Sequence, residues 1–182
     1  MKATLVLVAF TLLIPSAASA QDGRINLELL DKLAARASEK QQVDLGPEML
    51  GSFQPFVPQG PKSDAAKQVL SKLRGIFVRN YEFDDPKAYS LDDINTLRKQ
   101  LMTPGWVKVI SNEEKGREGG WELQEIYFFQ PGGKTNGIFI LNAEPGELSV
   151  VNVVGPIDFA DLAALGGVLG IPRIPSVVVG AR

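Results

Sequence analysis

Between residues 106 and 154 the chain passes through four consecutive β-rich stretches, 106–111, 121–130, 135–142 and 148–154, parted by turn-forming residues. Strands that follow one another through such short connections pair as hairpins, so this run predicts an antiparallel meander. Gln130-Pro131-Gly132-Gly133 and Glu144-Pro145-Gly146-Glu147 set proline and glycine at the central positions that a type II turn favours. Residues 138–141 and 150–154 are apolar at nearly every position, which predicts strands covered on both faces or lying mid-sheet, with the edges elsewhere.

The rest of the chain reads as helices and two further strands. Ile25, Leu29, Leu30, Leu33, Ala34 and Ala37 recur at helical spacing and predict a helix over 26–40, followed by a short strand at 43–45. Gly46-Pro47 breaks regular structure, and 51–61, with three prolines and two glycines, predicts a loose loop. Ser63 is placed to cap a second helix whose apolar face is Ala66, Val69, Leu70 and Leu73, ended by Gly75. In 76–83, Phe77, Tyr81 and Phe83 share one strand face while Asn80 and Glu82 point the other way. Ser90-Leu91-Asp92-Asp93 has the form of a capping box for a third helix bearing Ile94, Leu97 and Leu101. Asp158 caps a last short helix with Phe159, Leu162, Ala163 and Leu165 facing inward. Strands segregated from helices predict an α+β fold: a mainly antiparallel sheet with helices packed on one face, a two-layer sandwich.

Residues 1–20 follow the order of a secretory signal peptide: Lys2, an apolar run over 3–14, Pro15, then the small-x-small site Ala18-Ser19-Ala20. The apolar run is about a dozen residues long, against the roughly 20 of a spanning helix, so cleavage rather than anchoring is expected. A lipid anchor at the cut site would need a cysteine, and the chain has none. The mature protein is then one soluble domain over 21–182, with its core over about 25–172 and a tail over 173–182. Without Lys2, 18 of the 19 basic side chains face 21 acidic ones, a net charge of −3 that implies neither nucleic acid nor an anionic membrane as a partner.

Lacking histidine as well as cysteine, the chain cannot build a Ser-His-Asp triad, a thiolate nucleophile or a Cys/His zinc site. Its acidic pairs have plain structural readings. Asp84-Asp85 ends a strand before a proline, Asp92-Asp93 lies in a first helical turn where anions are favoured, Glu113-Glu114 falls in a polar hairpin loop, and Asp158 with Asp161 forms a cap. Gly132-Gly133-Lys134 lacks the upstream glycine and following helix of a phosphate loop and reads as a turn. Lys72, Arg74, Arg79 and Tyr81 suggest a single-strand nucleic-acid platform only superficially. Arg79 is expected to pair with a carboxylate while Tyr81 packs inward. No catalytic, cofactor-binding or metal-ligating residue is assigned, and an enzyme is not expected.

Three blocks carry a family resemblance: residues 73–83 with their Arg79-Asn80-Tyr81-Glu82-Phe83 strand, Pro104-Gly105-Trp106, and residues 151–158 followed by Gly170-Ile171-Pro172. Over about residues 25–172 the chain resembles the bacterial domain-of-unknown-function 4252 family. That resemblance implies an exported bacterial protein, some relatives being lipid-anchored, encoded near extracytoplasmic-function sigma factors and their anti-sigma partners; it implies no catalytic residue. A non-enzymatic envelope protein that binds a protein partner, within a stress-response or envelope-maintenance system, is the reading expected first. A small-ligand module with a site lined by Trp106, Tyr127 and Phe129 is the alternative. The segment 176–179 is β-prone and is expected to act either as a strap on the body or as a strand paired with another chain.

Expression in a Gram-negative host is predicted to yield an exported form that begins at Gln21, read by intact mass. A retained apolar segment, with the protein sedimenting among membranes, contradicts the export reading.

Overall fold

A computed structural model describes residues 22–57, 59–60, 63–115, 121–167 and 171; the expected signal segment and the 173–182 tail lie outside the described residues. Among the described residues six strands pair in one antiparallel sheet: β1 (Glu39–Leu45), β2 (Gly75–Glu82), β3 (Trp106–Lys115), β4 (Trp121–Phe129), β5 (Gly137–Glu144) and β6 (Glu147–Val154). Their order is β1-β2-β6-β5-β4-β3, so β3 to β6 form the expected meander and the edges fall on β1 and β3. The β2–β6 pairing joins β1 and β2 to the meander, bringing Gly75–Glu82 against Glu147–Val154. Gly146 turns the β5–β6 hairpin at φ 94° and Gly132 turns the β4–β5 connection at φ 68°, the left-handed conformations that glycine adopts without a Cβ penalty.

Among the described residues five α-helices flank the sheet: α1 (Asp31–Ala34), α2 (Pro47–Phe53), α3 (Ser63–Lys72), α4 (Leu91–Gln100) and α5 (Phe159–Leu165). The expected capping boxes are present, Ser90 with Asp93 on α4 and Asp158 with Asp161 on α5. Two expectations change. The helix expected over 26–40 shrinks to a 3₁₀ turn, Glu28–Leu30, plus α1, because from Glu39 onward the backbone pairs with β2 (Glu39 opposite Glu82) and tertiary pairing overrides helical spacing. The loop expected over 51–61 instead begins with the end of α2 and a 3₁₀ turn, Gln54–Phe56. Pro47 starts α2 at a position where its missing N–H costs nothing, and buried Leu50 and Val57 anchor the segment.

The α+β class and the antiparallel sheet hold, but the helices cover both faces rather than one. Strands β2, β4, β5 and β6 carry apolar side chains at odd and even positions alike, so both surfaces of the sheet need cover. On the front face Leu30, Leu33, Ile94 and Leu97 pack with Phe77, Tyr81, Phe139, Leu141 and Val150. On the back face Leu50, Ala66, Val69, Leu70, Leu162 and Leu165 pack with Ile76, Val78, Ile126, Ile140 and Val151. Of the α5 residues expected to face inward, Leu162 and Leu165 are buried, Ala163 is exposed, and Phe159 remains 48 % exposed while leaning on Phe128. A helix of only seven residues turns few positions inward.

Three buried polar side chains fasten the front layer. Fully buried Asn152 on β6 accepts from the Ile25 N–H at 2.8 Å and donates to the Gly23 carbonyl at 3.0 Å, pinning residues 23–25 across the sheet. Glu125 on β4, equally buried, accepts from Arg98 of α4, Lys108 of β3 and Tyr127. Arg79 forms the expected ion pair, donating through both terminal nitrogens to the two Asp44 oxygens at 3.1 Å each.

Asn152→Ala is predicted to lower stability by about 2–3 kcal/mol, since it orphans a buried N–H and a buried carbonyl. It is also predicted to speed exchange of the Ile25 amide well above that of the β6 amides. Unchanged melting with a protected Ile25 amide contradicts the pin.

Candidate functional site

Residues directly opposite each other in an antiparallel pair point to the same face, so continuous register arranges side chains in rows running across the strands. The back face carries four such rows. Leu45, Ile76, Val153, Ile138, Phe128 and Val107 make the first, and Val43, Val78, Val151, Ile140, Ile126 and Ile110 the second; both are apolar on every strand. The third is polar on every strand: Gln41, Asn80, Ser149, Asn142, Gln124 and Asn112.

The fourth row, at the sheet's end, is glutamate on every strand. Glu39 stands opposite Glu82, Glu82 opposite Glu147, Glu147 opposite Glu144, and Glu122 opposite Glu114. Glu122 and Glu144 lie one step past the paired residues Leu123 and Ala143, which completes the row across β4 and β5. The back-face helices α2, α3 and α5 lie over the two apolar rows. Half-buried Asn80, Ser149, Asn142 and Gln124 then lead to six exposed carboxylates.

Side-chain hydrogen bonds knit the polar row together. Asn80 Nδ2 donates to Gln41 Oε1 at 3.0 Å, Ser149 Oγ to Asn80 Oδ1 at 2.8 Å, and Asn112 Nδ2 to Gln124 Oε1 at 3.1 Å. Between Ser149 and Gln124 the row is interrupted, because Asn142 Oδ1 is buried and has no hydrogen-bond partner among the described residues. Beside it opens a groove of about 300 Å³ lined by Asn112, Glu114, Gln124, Asn142, Glu144 and Glu147, among others.

Among the described residues no cation compensates the charge in this groove. Elsewhere carboxylates meet cations: Asp93 with Lys32, Asp161 with Lys72, Asp44 with Arg79, and Glu125 with Arg98 and Lys108. Among the described residues none of the six row glutamates forms an ion pair. Glu147 responds accordingly: burial pushes its carboxyl pKa up, and the neighbouring charges of Glu144 and Glu82 push the same way. Glu125 goes the other way; burial pushes its pKa up, but the hydrogen bonds from Arg98, Lys108 and Tyr127 outweigh that and bring it down to about 2.

The residues singled out in the sequence fall elsewhere. Trp106 packs on Phe129 and Phe139, Tyr127 packs on Phe139, and Tyr127 and Phe129 are buried, so the expected ligand lining is core. Arg79 and Tyr81 are buried on the front face, Lys72 pairs with Asp161, and Arg74 donates to the Asp22 carbonyl, so these four side chains do not make one exposed platform. Gly132 and Gly133 lie in a 3₁₀ turn. Glu113 and Glu114, expected in a loop, belong to β3, which pairs with β4 as far as Lys115 opposite Trp121; Glu114 thereby joins the row. One signal for the row is present in the sequence: a glutamate two residues from an amide or hydroxyl recurs as Glu39/Gln41, Asn80/Glu82, Asn112/Glu114, Glu122/Gln124, Asn142/Glu144 and Glu147/Ser149.

The model of the domain of unknown function family DUF4252 matches residues 35–165, and the chain belongs to that family. The match takes in the six described strands and the back-face helices α2, α3 and α5, whereas the segment that Asn152 pins precedes it. None of the curated proteins and none of the solved structures matches the chain.

Glu147→Gln is predicted to stabilise the protein at pH 7 by a few tenths of a kcal/mol, the size of an exposed like-charge contact. Because the native pKa of Glu147 lies above 4.5, the cost of its charge is present above that raised value and absent below 4.5. The advantage of the variant therefore fades as pH falls toward 4.5 in parallel thermal melts. A variant no more stable than the wild type at pH 7 contradicts the crowding.

Proposed function

We propose that this DUF4252 member is an exported, non-enzymatic protein of the bacterial cell envelope that acts by holding a protein partner, in an envelope-maintenance or stress-response system. Export rests on the signal-like order of residues 1–20. The non-enzymatic reading rests on the lack of histidine and cysteine, together with the internal use of Asp93, Asp158, Asp161 and Glu125 in caps and ion pairs. The setting follows from the family resemblance.

One observation carries the partner reading: the back face ends in a row of six exposed glutamates beside a half-buried amide row, beyond the cover of the helices. Like charges set opposite one another across strands cost stability. A surface that repeats this cost on all six strands is accounted for by a partner that relieves it. A small-molecule site is less well supported, because the aromatic residues that suggested one are packed in the core.

The full chain, tagged at its C-terminus and expressed in a Gram-negative host, is predicted to enter the periplasmic fraction. There it should retain a protein partner that the variant E82Q/E122Q/E144Q/E147Q loses. Retention in the cytoplasm overturns the export reading. Recovery of a bound lipid or metabolite by native mass spectrometry, with no protein partner, overturns the partner reading.

A further inference from the structure

The acidic end of the back face says what kind of partner it fits. Its six carboxylates stand one to a strand, and at the usual strand spacing of about 4.8 Å they span on the order of 24 Å across the sheet. They are exposed, and among the described residues no cation neutralises them. The groove beside them holds an unused acceptor, since Asn142 Oδ1 is buried without a partner among the described residues. A buried amide oxygen left without a donor calls for one. Lysine and arginine side chains supply charge and donors together and carry no acceptor.

We infer that this surface receives a lysine- or arginine-rich segment of a protein partner, lying across the strands with cationic side chains on the glutamate row and a donor reaching Asn142. The inference rests on the partner-binding reading above and gives that partner its chemistry. Anionic nucleic acid and anionic lipid headgroups are repelled by the same row. Among the described residues no group of three or more acidic side chains is gathered closely enough to hold a metal ion, so charge complementarity is met by a string of separate cations. About seven residues of extended chain cover the span of the row. The contacts are solvent-exposed ion pairs, so the binding weakens steeply with added salt.

The test uses the full mature chain and a fluorescent octalysine peptide, with a neutral glycine-serine octamer and octaglutamate as controls, read by anisotropy at low and at physiological ionic strength. Octalysine is expected to bind and the controls are not. Four exposed pairs of ordinary strength amount to about tenfold or more in affinity, so E82Q/E122Q/E144Q/E147Q is expected to weaken binding by at least that factor. The variant E28Q/E48Q/D64N/E113Q, which removes the same charge outside the row, is expected to change it by no more than about twofold. Thermal melts of both variants confirm that each is folded.

Equal weakening in the two variants overturns the inference, because net charge alone is then responsible. Calcium that binds the row at micromolar concentration and displaces octalysine overturns it in favour of a cation surface. A large gain in octalysine affinity in R173Q/R182Q overturns it in favour of the chain's own tail. The two readings fail separately. An envelope partner still held by E82Q/E122Q/E144Q/E147Q leaves the partner-binding function standing and removes this surface, whereas octalysine bound at the row with no protein partner in the envelope does the reverse.

Discussion

Register is the constraint on which the rest of this structure depends. Among the described residues the antiparallel ladder runs without a register shift from β1 across β2, β6 and β5 to β4, and one shift lies between Lys108 and Ile110 on the β3 edge. A slip of one residue at any junction would exchange the faces of every side chain on that strand. In the middle of the sheet the penalty is severe. β2 and β6 would trade Val78 and Val151 for Arg79 and Asn152, withdrawing the buried Asn152 from residues 23–25 and Arg79 from Asp44. The row of β-branched residues Val43, Val78, Val151, Ile140, Ile126 and Ile110 fixes the alignment on the back face, and the three polar anchors fix it on the front.

The two faces use polar groups in opposite ways. On the front, Asn152, Glu125 and Arg79 are buried and each finds partners, tying in the N-terminal segment, α4 and β1 respectively. Such groups are costly if one partner is withdrawn, so they specify how the layer docks. On the back, polar groups gather where the helices end, and among the described residues the carboxylates there meet one another instead of cations. The sheet satisfies a fully buried carboxylate with two cations, whereas six others at its end have no ion-pair partner among the described residues, and that contrast separates what holds the fold together from what the fold presents.

Much of the framework was legible in the sequence, because its signals are local. Consecutive β-rich runs parted by turn residues located the meander, proline and glycine marked the β4–β5 and β5–β6 turns, and Ser90 and Asp158 announced helix starts. The cover on both faces was legible in part: residues 138–141 and 150–154 are too uniformly apolar for a sheet with a wet side, even though helices on one face were expected. Glu125 gave no sign, since a lone glutamate in a strand reads as a solvent-facing position until Arg98 and Lys108 are seen to converge on it. The glutamate row was harder still. Each glutamate alone is an ordinary strand-end charge, and only the register, a long-range property, makes six of them neighbours.

The central claim is that one sheet holds a carboxylate stabilised by cations and a row of carboxylates crowded by each other, and carboxyl titration by NMR tests it most directly. Glu125 is predicted to titrate at about 2 and Glu147 above 4.5; in a Lys108→Met, Arg98→Met background the Glu125 pKa is predicted to rise, because its burial is then unopposed, and in Glu144→Gln, Glu82→Gln the upward shift of Glu147 is predicted to shrink to the part that burial sustains. Carboxyl groups of Glu125 and Glu147 that titrate together near 4.5 would contradict both the buried cluster and the crowded row.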